Sequence, residues 1–182
     1  MPVRLGLPTH ALGGAAAVFA ILVGAGDLAV AGPSATEGAA LDRFLAESVP
    51  VCVHAPAVRC VEQGFAFADA DGDGRLALAE VRTVQERVDA WARANARSLP
   101  QTERERLVLG LLIIRAVGPG QLFTSYDIDG DGFLTREEVT ADLRLDPRPL
   151  PEILSDPSAI DWNALAARAG EAAPLLRRLL QL

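Results

Sequence analysis

The chain has 182 residues, a net charge of −7 and hydrophobic side chains at half of its positions, which is enough for one domain with a core. All of its basic residues are arginines, and the lack of lysine excludes Schiff-base and lysine general-base chemistry. Because the charge is acidic and no basic cluster interrupts it, we expect no nucleic-acid partner.

The first 31 residues have the pattern of an export signal. Arg4 precedes an uncharged apolar stretch at residues 11–26, and Ala29-Val30-Ala31 is a small-residue cleavage pattern. The sequence therefore predicts a periplasmic or secreted protein that is cleaved after Ala31. A membrane anchor is the alternative, although 16 apolar residues are fewer than the roughly 20 that a spanning helix needs. Contact with a membrane is expected only if this segment stays uncleaved.

The next segment, residues 32–50, is predicted to be a linker followed by a short helix. Residues 32–38 are small and polar, and a helix over residues 39–49 is expected to end at Pro50. Cys52 and Cys60 are the only cysteines, and in an exported protein an even number of cysteines predicts a disulfide. Two free, buried thiols are the alternative.

A twelve-residue pattern occurs twice, at residues 69–80 and 127–138. Each copy has Asp at positions 1, 3 and 5, Gly at position 6, an aliphatic residue at position 8 and Glu at position 12. A hard divalent cation prefers six to eight oxygens. Carboxylates at alternate positions converge on one point only where the backbone turns sharply, which Gly74 and Gly132 permit. A glutamate that offers both oxygens favours calcium over magnesium.

Both copies resemble the calcium loops of the EF-hand superfamily, here of a bacterial, exported type. The resemblance implies an all-α fold in which two helix–loop–helix units, with extra helices, pair through a short β-bridge between Leu76 and Leu134. It also implies that Arg75 and Phe133, at position 7, offer backbone carbonyls, so that the pattern does not require a particular side chain there. Two calcium ions are therefore predicted, with loops that fold without metal as the alternative. The predicted ligands are Asp69, Asp71, Asp73, Arg75 and Glu80 in the first loop and Asp127, Asp129, Asp131, Phe133 and Glu138 in the second.

Helices are predicted on both sides of the first loop, over residues 58–68 and residues 78–97. The second of these has a stripe of apolar residues with helical spacing. That stripe consists of Val81, Val84, Val88 and Trp91. The loops begin 58 positions apart, which is wider than in a tight pair, so an additional helical segment is expected between them.

The additional segment is predicted to begin after Pro100 and to end at residues 118–120. Thr102 and Glu105 have the spacing of a capping box, and the helix that follows is apolar on most sides, which favours a central core position. Residues 121–126 are predicted to enter the second loop, and residues 135–143 to leave it as a helix.

The C-terminal part, residues 146–182, is predicted to be a connector followed by helices that pack on the paired hands at residues 51–145. Residues 146–151 are rich in proline and are expected to form a stiff spacer. Asp161 or Ser158 is expected to cap a helix that begins near Trp162. Residues 172–182 form an amphipathic tail that is predicted to fold back, and binding to a partner or a membrane surface is the alternative.

No catalytic group of residues emerges from the sequence, so we expect no enzymatic activity. His54 is the single histidine beyond the predicted signal, and the paired carboxylates are accounted for as calcium ligands. The predicted function is calcium binding in a structural or buffering role outside the cytoplasm. The alternative is a calcium-responsive interaction protein that exposes an apolar groove to a protein partner.

Overall fold

The computed structural model describes residues 35–175 of the chain, and the fold in that range is all-α and of the EF-hand type, as predicted. The predicted signal at residues 1–31 and the last seven residues of the predicted tail lie outside the described residues. The helices are α1 (Ala35–His54), α2 (Ala57–Ala68), α3 (Leu78–Asn95), α4 (Gln101–Val117), α5 (Pro119–Tyr126), α6 (Arg136–Val139), α7 (Leu150–Ser155) and α8 (Trp162–Ala169). Short 3₁₀ helices cover Pro157–Ala159 and Gly170–Ala172, and the strands are β1 (Leu76–Ala77) and β2 (Phe133–Leu134).

Two helix–loop–helix units, the hands, lie side by side. The first hand is α2, the loop at residues 69–80 and α3, and the second hand is α5, the loop at residues 127–138 and α6. Strands β1 and β2 pair antiparallel with Leu76 opposite Leu134, which confirms the predicted bridge. Beneath the bridge, Phe65, Phe123 and Tyr126 pack with these two leucines in one buried cluster. This cluster fixes the two loops relative to each other.

Helix α4 accounts for the wide separation of the loops. It follows α3 in the chain and precedes α5, and it meets α5 at an angle of 78°. The turn is at Gly118, whose φ of +85° favours glycine. Among residues 35–175 no single helix is long and apolar enough to cross a membrane, and only α4 and α5 together, as a bent pair, have the required length and composition.

Two expectations for α4 are wrong. The helix begins at Gln101 after Pro100 and no side chain caps it, so Thr102 and Glu105 do not form a capping box. Nor is the helix buried on most sides, because Val108 and Leu112 are more than half exposed. These two residues are four positions apart and therefore lie on the same side of the helix, away from its buried face.

Helix α1 begins earlier and ends later than predicted. It starts at Ala35, within the predicted linker, and continues through Pro50 to His54. A proline inside a helix removes one hydrogen bond and costs about 3 kcal/mol. Two contacts offset this cost: Leu41 and Leu45 pack against α3 and α4, and Cys52 is buried in a disulfide with Cys60. The predicted disulfide is therefore present, and it joins the last turn of α1 to α2.

The segment after the second loop also departs from the prediction. Helix α6 ends at Val139 rather than near residue 143, and the chain then turns so that the Asp142 side chain becomes buried. Helix α7 begins at Leu150, inside the predicted spacer, because Leu150 packs with Ile153 and Leu154 against the disulfide. Leu150 of the proline-rich segment is thus part of the core, whereas Pro147 is exposed.

The last helices pack against α4. Asp161 caps α8 by accepting hydrogen bonds from the backbone N–H groups of Asn163 and Ala164, which confirms one of the two predicted caps. Leu165 and the described beginning of the tail, Ala172, are buried with Ile113 of α4. The division of the chain into a signal, a linker, a domain and a C-terminal part stays a prediction.

Candidate metal centre

The first loop brings three carboxylates together. Donor oxygens of Asp69, Asp71 and Asp73 lie within 4.8 Å of one another. The loop is folded around Asp69, whose Oδ1 accepts hydrogen bonds from Gly72 N (2.8 Å) and Asp73 N (3.1 Å) and whose Oδ2 accepts one from Gly74 N (2.9 Å). The backbone therefore curls as the repeat predicts, with acidic side chains directed to its inside.

The second loop has the same group of three carboxylates but differs in one atom. Asp127, Asp129 and Asp131 converge within 4.8 Å, and Asp127 Oδ2 accepts a hydrogen bond from Gly132 N at 3.1 Å. Asp127 Oδ1, however, is buried and has no hydrogen-bond partner among the described residues, whereas Oδ1 of Asp69 has two. A buried carboxylate oxygen without a partner costs free energy. A bound cation would satisfy this oxygen, so the donor set fits a metal.

The glutamate at position 12 holds the two ends of each loop together. Glu80 accepts hydrogen bonds from Ala70 N (2.7 Å) and Ala77 N (2.8 Å). Glu138 likewise accepts hydrogen bonds from Ile128 N and Thr135 N, both at 2.8 Å. The Thr135 N–H, more than any other group, holds the pKa of Glu138 below its ordinary value. Neither glutamate belongs to the converging groups of three carboxylates found among the described residues.

A cation at either glutamate would compete with these hydrogen bonds for the carboxylate oxygens. A carboxylate has about four lone pairs on its two oxygens. At Glu138, which is buried at the base of its loop, Ile128 N, Thr135 N and the Thr135 hydroxyl all donate to these oxygens. A cation at Glu138 would therefore share an oxygen with these donors or displace one of them. That both oxygens of Glu80 and Glu138 ligate calcium stays a prediction.

Two further glycines determine the shape of the loops. Gly74 and Gly132 have a φ of +83°, as expected for position 6, but Gly72 and Gly130 at position 4 also have positive φ values, of +75° and +74°. The repeated Asp-Gly-Asp-Gly sequence contained this signal, although the ligand pattern requires only one glycine. A Cβ atom at Gly130 would contact nothing within 4 Å, so the requirement for glycine is conformational and not steric crowding.

The side chains at position 7, which the ligand pattern does not use, contact each other. The Arg75 guanidinium lies 3.9 Å from the centroid of the Phe133 ring, across the β-bridge. Its nitrogens also lie 3.5 Å from Asp73 Oδ2 and 3.6 Å from Asp131 Oδ2. One arginine thus contacts a predicted ligand in each loop. Sequence gives no signal for this contact, because it depends on the register of the bridge.

A buried polar network, also unforeseen from sequence, lies directly behind the second loop. The Asp142 side chain is 1% exposed, and its carboxylate accepts hydrogen bonds from Tyr126 Oη (2.6 Å) and Arg168 Nε (3.0 Å). Arg168 also lies over the Tyr126 ring at 4.5 Å and donates to the Ser125 carbonyl oxygen. Burial, followed by the hydrogen bond to Asp142, raises the pKa of Tyr126 far above its ordinary value. The tyrosine therefore remains a neutral donor, and helix α8 is fixed to the residue that precedes Asp127.

Comparison with known proteins gives one match. Residues 121–141 match the family model described as EF hand, a range that contains most of α5, the whole second loop and α6. No curated protein and no solved structure matches the chain. The match supports an EF-hand calcium-binding family, with calcium as the ligand, and proteins of this type are typically not enzymes. It falls on the same loop in which Asp127 Oδ1 is buried without a partner.

Proposed function

We propose that this protein binds two calcium ions, one in each loop, and that the ions have a structural or buffering role outside the cytoplasm. The observation that carries this proposal is the buried, unpaired Oδ1 of Asp127 within three converging carboxylates. It is supported by the EF hand match over residues 121–141. Calcium supplies the charge that offsets repulsion among these carboxylates, and it accepts a flexible set of six to eight oxygen ligands.

The residues proposed for the second loop fit this ligand set. Asp127, Asp129 and Asp131 contribute carboxylates, the Phe133 carbonyl supplies a neutral oxygen, and Glu138 completes the set from the start of α6. Asp131 N donates a hydrogen bond to Asp129 Oδ1 (3.1 Å), and Phe133 N donates one to Asp131 Oδ1 (2.8 Å). These bonds hold the alternate side chains on the inside of the turn. Little rearrangement of the backbone is needed to present these oxygens to an ion.

The first loop is proposed to bind a second ion because it repeats the same arrangement. Asp69, Asp71, Asp73 and Glu80 occupy the corresponding positions, and the Arg75 carbonyl corresponds to that of Phe133. Asp69 accepts three loop N–H groups, compared with one for Asp127. Because more of its lone pairs are already used, we expect the first loop to bind calcium more weakly than the second.

Packing between the hands supports a structural or buffering role rather than a target-binding one. Phe65 of the first hand and Phe123 and Tyr126 of the second are buried together beneath the bridge, so these three rings do not line an open groove. The only methionine is Met1, whereas adaptable target grooves are often rich in methionine. The disulfide supports an oxidising compartment outside the cytoplasm, because such bonds rarely persist inside it.

The proposal can be tested with neighbouring glutamates of α6. Glu138→Gln removes a proposed ligand, whereas Glu137→Gln removes the same charge at an exposed position. Calorimetric titration with calcium chloride should show that E137Q binds like the wild type. E138Q should lose the second site and, if the bridge couples the loops, should also bind more weakly at the first. Equal binding by E138Q and E137Q would rule out Glu138 as a ligand.

A dye that fluoresces on apolar surface distinguishes the two proposed roles. Calcium addition should leave dye binding unchanged or lower it, because a structural or buffering site does not open the cluster around Phe65 and Phe123. A rise in dye fluorescence at the calcium concentrations that fill the sites would instead favour the calcium-responsive interaction protein.

A further inference from the structure

Arg75 lies between the two loops, and its position is fixed by the β-bridge. Residues Ala77 and Phe133 are partners in the antiparallel register, so the Arg75 side chain, two residues before Ala77, reaches across to the Phe133 ring. The guanidinium carbon lies over the ring, 3.9 Å from its centroid, which is within the range of a cation–π contact. Phe133 thereby holds a permanent positive charge at the boundary of the two loops.

From this position Arg75 contacts one acidic side chain in each loop. Its Nη2 lies 3.5 Å from Asp73 Oδ2, and its Nη1 lies 3.6 Å from Asp131 Oδ2. Both aspartates occupy position 5 of their loops and are proposed calcium ligands. Among the described residues, Arg75 is the only basic side chain within ion-pair distance of the converging carboxylates.

We propose that Arg75 is an affinity-determining residue: it acts as an internal counter-cation that weakens calcium binding in both loops. The inference rests on the proposed calcium-binding function and extends it. In calcium-free protein the guanidinium offsets repulsion among the carboxylates, which stabilises the folded loops. On binding, calcium competes with Arg75 for Asp73 and Asp131 and is repelled by the charge that remains nearby. The affinity of each loop is therefore lower than its ligands alone would give.

The test compares three variants of the full chain by titration with calcium chloride at low ionic strength. Arg75→Gln removes the charge and keeps a shorter, polar side chain, and Arg75→Lys keeps the charge without the planar group. The matched control is Arg82→Gln, which removes one positive charge from an exposed position on α3. R82Q should bind calcium like the wild type.

R75Q should bind calcium about threefold to tenfold more tightly than the wild type, a range that corresponds to the loss of two exposed ion pairs. The calcium affinity of R75K should fall between those of the wild type and R75Q. The difference should shrink as salt is added, because exposed charges are screened over about 10 Å at 0.1 M. If Arg75 acts through its charge, the difference in affinity between R75Q and the wild type depends on salt. If its role were purely structural, that difference would not change with salt.

Thermal unfolding in a calcium chelator provides a readout that does not depend on bound metal. R75Q should unfold about 2–4 °C below the wild type there, because the carboxylates lose their counter-cation, and the deficit should disappear in saturating calcium. If wild type binds calcium but R75Q binds equally or more weakly, the inference is overturned and the proposed function stands. If wild type binds no calcium at millimolar concentration, both are overturned.

Discussion

Replacement of Asp142 by asparagine is expected to destabilise the protein more than any other single change of an acidic side chain outside the loops. Asp142 is the least exposed carboxylate among the described residues, and it is paired with an Arg168 side chain that is 17% exposed. The amide keeps the shape of the carboxylate but removes its charge, so the guanidinium would be left without its counter-charge. Tyr126 would still have an oxygen to which it can donate.

The size of the effect follows from the burial of the pair. Removal of one partner of a fully buried ion pair costs 3–5 kcal/mol, and the partial exposure of Arg168 reduces this to about 2–4 kcal/mol. For a chain of this length the melting temperature should therefore fall by roughly 5–15 °C. Thermal unfolding followed by circular dichroism in a calcium chelator measures this fall without interference from bound metal.

Asp89→Asn is the matched control. Asp89 also pairs with an arginine, Arg115, at 2.9 Å, but the Arg115 side chain is 56% exposed. Surface ion pairs contribute about 0–1 kcal/mol, so D89N should melt within a few degrees of the wild type. If D142N and D89N lowered the melting temperature equally, the network would not fix α8 to the second hand as described.

Three further changes test other parts of the structure. Cys60→Ser opens the disulfide that closes a short loop, which should reduce the free energy of unfolding by about 2–3 kcal/mol in urea titrations, and added reductant should not lower that of the variant further. Gly130→Ala should cost about 1–2 kcal/mol because its φ is +74°, whereas Gly120→Ala in α5, where no positive φ is required, should be neutral or stabilising. The hydrogen bond from Arg148 lowers the pKa of Asp146 to about 2, below its ordinary value of about 3.9. The stability advantage of the wild type over Asp146→Asn should therefore be present above pH ~4 and disappear as the pH falls through about 2, and a constant advantage at all pH values would contradict this pairing.

The features that could be predicted from sequence are those that local chemistry determines. A cation-binding loop requires carboxylates at alternate positions and glycine at the turn, so the two repeats were recognisable, and their resemblance to EF-hand loops implied the bridge at Leu76 and Leu134. The disulfide followed from two cysteines eight positions apart, and the cap at Asp161 followed from its side chain. The repeats, the disulfide and the cap each depend on residues that are close in sequence.

The features that could not be predicted depend on distant contacts. Pro50 is a local signal for the end of a helix, but the burial of Cys52 by residues of α2 and α7 keeps α1 helical beyond it. Helix α6 ends early because Asp142 meets Arg168, which is 26 positions away. The contact between Arg75 and Asp131 arises only after the two loops pair. Periodicity and spacing carry no information about such partners.

Calcium titration of the full chain by calorimetry tests the central claim most directly. We expect two ions per chain, with dissociation constants of about 10⁻⁴–10⁻³ M if the sites resemble those of extracellular modules. Release of heat and saturation at two equivalents would support calcium binding by both loops. One equivalent would restrict the function to the loop at residues 127–138, and no binding at calcium concentrations well above ~10⁻³ M would contradict the account.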